Sequence, residues 1–303
     1  VNLYNEWEKF PAQWTRNLID AGHLPPGIVS QMDIRKINPA MIKDYDQCHF
    51  FNGIGGWSYA LKLAGLSDVP GIWTGSCPCQ PFSTAGKGRG EEDERHLWPY
   101  FRRLIEFGKP AIVFGEQVAS PAGRDWLSGV RADLEKLGYA VGAADISAAG
   151  LGAPHIRQRL YWGAVERVSY LQGGRLWVRR GSGKKESFSP IGERGLERVS
   201  DVQGQRHERQ KTPTEATRGK EPCDSQRVRN LYGNGCDWPW GDYEILHFAD
   251  QKARRIKPGI VPVVDGFPGR VGQVRAYGNA IVPQVAAVFI ESFMESIFES
   301  GGK

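Results

Sequence analysis

The stretch Cys48-His49-Phe50-Phe51-Asn52-Gly53-Ile54-Gly55-Gly56 decides the fold. Four apolar or aromatic positions make a short strand, the glycines make a tight turn, and Trp57 to Ala64 reads as the helix that follows. A strand–glycine turn–helix unit lets backbone approach a ligand closely at a helix N-terminus. Any tight strand–helix turn also favours glycine, so the pattern needs support from its neighbours.

Downstream, Gly71-Ile72-Trp73-Thr74 reads as a strand that feeds Gly75-Ser76-Cys77-Pro78-Cys79-Gln80-Pro81-Phe82-Ser83. Cys79 stands between Pro78 and Pro81, and proline stiffens both its own φ and the residue before it. A thiol held at a strand's mouth suits a nucleophile. The plainer alternative is a structural turn with a buried, inert thiol. A helix is expected over Trp98 to Phe107, then a buried-type strand, Ala111-Ile112-Val113-Phe114, ending on Gly115-Glu116-Gln117-Val118. An acid there sits where open α/β sheets put their ligands; a surface or capping acid is the alternative. Gly123 to Leu137 reads as a helix and Tyr139 to Ala144 as a strand. His155 to Trp162 alternates charged and apolar residues, which predicts a strand with Arg157 and Arg159 on one side. An edge strand with two solvated arginines would look the same.

Upstream, Leu3 to Trp7 begins extended, Phe10 to Ala21 has helical spacing with Gly22 as its stop, and Ile28-Val29 follows a Pro-Pro-Gly break. The C-terminal end, Gly278-Asn279-Ala280-Ile281-Val282-Pro283, leads into an amphipathic helix to about Ser300. Strands alternating with helices indicate an α/β fold with a largely parallel sheet.

The 303 residues carry a net charge of +5. Between Glu166 and Asn230 lie 15 Lys and Arg against 9 Asp and Glu, so this segment carries the chain's whole excess of positive charge. Its apolar anchors are few (Leu176-Trp177-Val178, Phe188), and no secondary structure is assigned to it. A basic block on a near-neutral protein suggests a polyanionic partner; a solvated insert is the alternative. Five cysteines without a regular framework fit a reducing compartment. No apolar run approaches the roughly 20 residues that span a bilayer, and no signal-peptide pattern is present.

Taken together, these blocks resemble the DNA (cytosine-5) methyltransferases. Phe51-Asn52-Gly53-Ile54-Gly55-Gly56 is similar to that family's S-adenosylmethionine loop, and Pro78-Cys79-Gln80 to its nucleophile loop. Gly115-Glu116-Gln117-Val118 is similar to its Glu-Asn-Val block, Arg157-Gln158-Arg159 to its arginine block, and Gly278-Asn279-Ala280 to its closing segment. The likeness covers about residues 1–165 and 260–300. Gln117 replaces an asparagine and His155 a glutamine.

The third departure is one of order. The family's acid for the cofactor ribose and aspartate for the adenine follow its glycine loop. Here only 21 residues separate Gly56 from Pro78, while Asn5-Glu6-Trp7 and Met32-Asp33-Ile34, which resemble those two blocks, come first. This implies an internal permutation. In a doubly wound sheet of order 3-2-1-4-5, strands 2 and 3 can be supplied from the N-terminal side. The step from strand 1 to strand 4 then runs opposite to the usual step, so either a left-handed crossover or a displaced helix 57–64 is expected.

The resemblance implies a doubly wound, mostly parallel, Rossmann-like α/β methyltransferase sheet with a small irregular basic insert. The expected divisions are a catalytic and cofactor-binding domain over 1–165, a DNA-recognition insert over 166–240, and a return to the catalytic domain over 241–303. It implies Cys79, Glu116, Arg157 and Arg159 as catalytic residues. Phe51, Gly53, Gly55, Gly56, Glu6, Trp7, Asp33 and Asn279 would hold S-adenosylmethionine. Burial would raise the Glu116 pKa. The expected partner is double-stranded DNA, with no metal and no membrane, for a monomer in the cytoplasm of a bacterial or phage-infected cell. The alternatives are a silent methyltransferase-like DNA binder, a nicotinamide-dependent oxidoreductase, and a thiol or metal site on Cys77 and Cys79.

Overall fold

The computed structural model describes residues 1–78, 97–153, 155–166, 176–180, 184–188, 244–247, 253–256, 276 and 278–300. The chain divides into two compact units, Val1–Pro190 with Val263–Lys303, and Ile191–Pro262. In the second unit the described residues form one antiparallel pair, β10 (Glu244–His247) with β11 (Ala253–Ile256).

The first unit is built on a seven-stranded sheet of order β2-β1-β3-β4-β5-β7-β6. Its strands are β1 (Asn2–Asn5), β2 (Gly27–Ser30), β3 (Gln47–Phe50), β4 (Ile72–Gly75), β5 (Ile112–Val118), β6 (Tyr139–Ser147) and β7 (Gln158–Glu166). The neighbours from β2 to β5 pair in parallel, and β7 runs antiparallel between β5 and β6. Helices α1 (Lys9–Asp20), α2 (Gly56–Leu63), α3 (Trp98–Gly108), α4 (Pro121–Lys136) and α5 (Pro283–Ser300) surround it. If β3 is numbered as strand 1, β1 and β2 as strands 2 and 3, and β4 and β5 as strands 4 and 5, the order is the permuted one expected.

Residue parity separates the two faces of the sheet. Leu3, Phe50, Trp73, Val113 and Trp162 pack with Ile34, Ile37 and Ile42 of two short 3-10 turns, with Phe101 and Leu104 of α3, and with Val130 and Leu134 of α4. Alternate residues Tyr4, His49, Thr74, Phe114 and Tyr161 point the other way. There Tyr4 Oη meets Ser58 Oγ of α2 at 3.1 Å, Trp57 stacks on Phe114, and Phe289 and Phe293 of α5 close on Tyr161 and Phe114. The tail of α1 shares this second face: Lys62 Nζ of α2 donates to the Gly22 and His23 carbonyls.

This placement fixes the handedness of the connections. From β1, α1 steps to β2 on one side; from β3, α2 steps to β4 on the other side, over the same face. Opposite steps over one face have opposite hand. The β2–β3, β4–β5 and β5–β6 connections take the second direction over the first face, which gives them the hand of α1. Strand–crossover–strand units are right-handed in about 98% of cases. The odd one is therefore β3-α2-β4, which is left-handed. The helix keeps its face and the crossover changes hand.

Two other expectations are modified. Composition predicts no regular structure from Glu166 onward, yet Leu176–Arg180 and Lys184–Phe188 form an antiparallel pair, β8 and β9, with Leu176 opposite Phe188. The sparse apolar anchors lie in these strands. The strand expected over His155 to Trp162 begins later, at Gln158, and runs to Glu166.

Candidate active site

β1, β2 and β3 are parallel neighbours, so Glu6, Asp33 and the glycine loop all follow strand carboxyl ends along one edge of the sheet. Glu6 Oε2 accepts from Gly53 N at 2.7 Å and Oε1 accepts from Glu8 N at 2.8 Å. Burial pushes the Glu6 carboxyl up, and these two N–H groups oppose the shift. Asn5, buried at the end of β1, donates to the Ser30 and Met32 carbonyls at 3.3 and 2.8 Å and so holds the exit of β2. Asp33 caps the first 3-10 turn by accepting from Arg35 N at 2.9 Å. The Arg35 guanidinium bonds the same carboxylate and holds it below the usual aspartate range. Trp7 is 63% exposed beside this edge.

The loop's backbone explains its composition. Phe51, Gly53 and Gly55 have φ of 50°, 57° and 85°. Gly55 is the N-cap of α2, and a Cβ there would lie 2.4 Å from Leu24 Cδ1, so both backbone angle and space require glycine. Asn52 Nδ2 donates to Thr15 Oγ1 at 2.9 Å, tying the loop to α1. Gly55 and Gly56 line a cavity of about 820 Å³ together with Leu24, Tyr59, Arg157 and Ile281. Glu6, Trp7 and Asp33 do not line it.

On the other half of the sheet, β4 runs into Ser76-Cys77-Pro78. Cys79 lies outside the described residues. Cys77 is buried, and burial pushes its thiol far above the ordinary range, so it is not a thiolate. Gln117, 2% exposed, donates from Nε2 to the Cys77 carbonyl at 3.4 Å and accepts from Val118 N at 2.9 Å. Gln117 therefore tethers the backbone two residues before Cys79.

Glu116 sits opposite Tyr161 in the β5–β7 ladder, and Arg159 sits opposite Val118. Residues two apart share a face, so Arg159 reaches Glu116 diagonally, with Nε 2.8 Å from Oε1. Burial pushes the Glu116 carboxyl up, and the Arg159 and Arg157 charges pull it back. The shared parity expected for Arg157 and Arg159 does not hold. Arg157 precedes β7 with φ of 30°, outside strand geometry, and its guanidinium donates to the Gly278 and Ala280 carbonyls. It braces the segment that enters α5, while Arg159 alone bonds Glu116. Asn279 is exposed between those two carbonyls.

Reading the sequence missed Trp57, Ser76, Asn5 and Thr15 as parts of the site's support. Each bonds a partner that is distant in the sequence, and nothing in a single chain marks that partner. Among the described residues there is no His, Cys, Asp and Glu cluster fit for a metal, and no helix long and apolar enough to cross a membrane.

The family model for C-5 cytosine-specific DNA methylase matches residues 66–218, just over half of the chain. The match begins after the glycine loop. The chain is 26% identical over 252 residues to the Type II methyltransferase M.AplI of Arthrospira platensis, covering 75% of this chain and 69% of that protein. It is 29% identical over 161 residues to the Type II methyltransferase M.HhaI of Haemophilus parahaemolyticus, covering 52% of this chain and 39% of that protein. Among solved structures, the Entamoeba histolytica methyltransferase EhMeth aligns over 56% of this chain and 46% of that one, at 17% identity and a TM-score of 0.39. The protein belongs to the C-5 cytosine-specific DNA methylase family.

Proposed function

We propose that this chain transfers a methyl group from S-adenosylmethionine to C5 of a cytosine flipped out of a short double-stranded DNA sequence. The observation that carries this reading is the half-buried Glu116–Arg159 pair, one strand away from the strand that leads to Cys79. The Cys79 thiolate adds to C6 of the ring, forming an S–C6 bond and leaving C5 electron-rich. Glu116 donates its proton, which burial helps it retain, to N3 and accepts from the exocyclic amine through its other oxygen, and so favours charge build-up on the ring. Arg159 orients that carboxyl. After C5 takes the methyl group, loss of the C5 proton to a base expels the thiol and restores the ring. The target atom is unreachable inside a duplex, so the base must leave the stack.

The residues present fit the methyl donor. A Cβ at Gly53 would meet nothing within 4 Å, which leaves that backbone open to a ligand. Glu6, fixed on Gly53 N, would take ribose hydroxyls, Asp33 the adenine amino group, and Trp7 the adenine face. Phe51, Gly55, Gly56 and Asn279 would line the methionine end. The donor supplies an electrophilic methyl on a sulfonium.

The basic insert, read as residues 166–240, would contact DNA phosphates and bases, and 241–303 would return to the catalytic domain. A monomer in the cytoplasm of a bacterial or phage-infected cell is the setting. Base-resolved cytosine methylation of plasmid DNA from cells expressing the protein, beside a Cys79→Ala control, tests the reading. C5 marks in one short sequence, absent from the control, are expected. Absence of marks with the native chain would overturn it.

A further inference from the structure

Trp57 is the second residue of α2, directly after Gly56. Its side chain is 4% exposed. The indole stacks on Phe114 at 6.1 Å with 14° between planes, and meets Tyr161 edge-on at 6.1 Å. Phe114 lies two residues before Glu116 on the same face of β5, and Tyr161 lies opposite Glu116 in β7. The indole Nε1 donates to Ser76 Oγ at 2.9 Å. Ser76 is three residues before Cys79, and Gln117, next to Glu116, holds the adjoining Cys77 carbonyl. One buried ring therefore touches the strands that carry the acid and its arginine, is joined through the backbone to the glycine turn, and is hydrogen-bonded to the approach to the nucleophile.

We propose that Trp57 is a positioning residue that couples occupancy of the glycine loop to the placement of Cys79, through its hydrogen bond to Ser76. A ligand that settles the Gly53–Gly56 backbone fixes the first turn of α2. The indole is rigid, with two χ angles, and wedged between two aromatic rings, so it has little freedom to absorb a shift at its Cα. Its N–H then sets where the chain leaves β4. The proposal rests on the cofactor reading of the glycine loop.

The test compares alkylation of Cys79 by iodoacetamide, followed by peptide mass spectrometry, with and without S-adenosylhomocysteine. Cys48 and Cys77 are buried and serve as unreactive internal standards. In the native chain the ligand should change the Cys79 rate by about fivefold or more. Trp57→Phe keeps the ring packing and removes the donor; Ser76→Ala removes the acceptor. In both, ligand binding by calorimetry should persist while the rate ratio falls to about one. A ratio kept at the native value in both variants overturns the coupling, as does a native Cys79 rate indifferent to ligand. Methyl transfer to DNA, measured on the same native preparation, separates failure of the coupling from failure of the functional reading.

Discussion

The sheet has two halves that reach one site by different routes. In the half formed by β4, β5, β7 and β6, chain order and family order agree. The acid and its arginine come from neighbouring antiparallel strands, and the ladder register alone brings them to 2.8 Å. In the half formed by β2, β1 and β3, the blocks arrive in another order, and side chains join distant segments. Glu6 bonds Gly53, 47 positions later, and Asn52 bonds Thr15 on α1. The difference teaches that adjacency in the sheet, not succession in the chain, assembles the edge proposed to hold the cofactor. A parallel strand is placed by its neighbours, so it can be supplied from either side of the sequence.

The in-order half should break most severely. Arg159→Ala leaves the half-buried Glu116 without its bonded cation, at a cost of about 1–3 kcal/mol in stability. It should also lower kcat by about a hundredfold or more. Urea unfolding and labelled methyl transfer would show both; a change under tenfold would mean that Glu116 does not depend on this arginine. The second prediction concerns β3. His49 is fully buried, stacked on Tyr4, and bonded through Nδ1 to Thr74 Oγ1 at 2.9 Å. Burial pushes its pKa down to about 3. Between that value and the ordinary histidine range the unfolded chain binds more protons than the folded one. Stability from this group therefore falls as pH drops, by about 1.4 kcal/mol per unit. His49→Phe should flatten that part of the urea-midpoint profile, and an unchanged slope would count against it.

Smaller effects should sharpen the comparison on the cofactor edge. Glu6→Gln leaves one of the two N–H donors without a good acceptor. The KM for S-adenosylmethionine should rise about tenfold with kcat nearly unchanged; an equal fall in kcat would place Glu6 in the chemistry instead. Arg35→Ala should cost less than about 1 kcal/mol, because the arginine is partly exposed. Its contribution is present above the ordinary aspartate pKa and is lost as pH falls through the lowered range of Asp33. Wild-type and variant urea midpoints should converge in acid.

Much of this was legible in the sequence. Short apolar runs with glycine stops announced β3, β4 and β5, and the order of the motif blocks implied both the permutation and the unusual crossover. Arg157 shows where the reading stops. Alternation of charged and apolar residues placed it in a strand with Arg159, but a backbone turn at φ of 30° is invisible to periodicity. Trp57 looked like the first apolar residue of a helix, because the Ser76 hydroxyl that meets its indole lies 19 residues on and only the fold brings them together. The pair β8–β9 was hidden by low apolar content, since hydrogen bonding between strands leaves little trace in composition.

The left-handed β3-α2-β4 crossover also has a meaning for synthesis. β1 and β2 leave the ribosome before β3, and 16 residues separate Ser30 from Gln47. At about 5–20 residues per second, the completed β1–β2 pair waits roughly one to three seconds for the partner of its inner edge. For that interval, the backbone groups that later hydrogen-bond β3 are an open edge for any other strand. The order of parts that leaves the finished site intact thus makes the nascent chain dependent on prompt arrival of the glycine-loop strand.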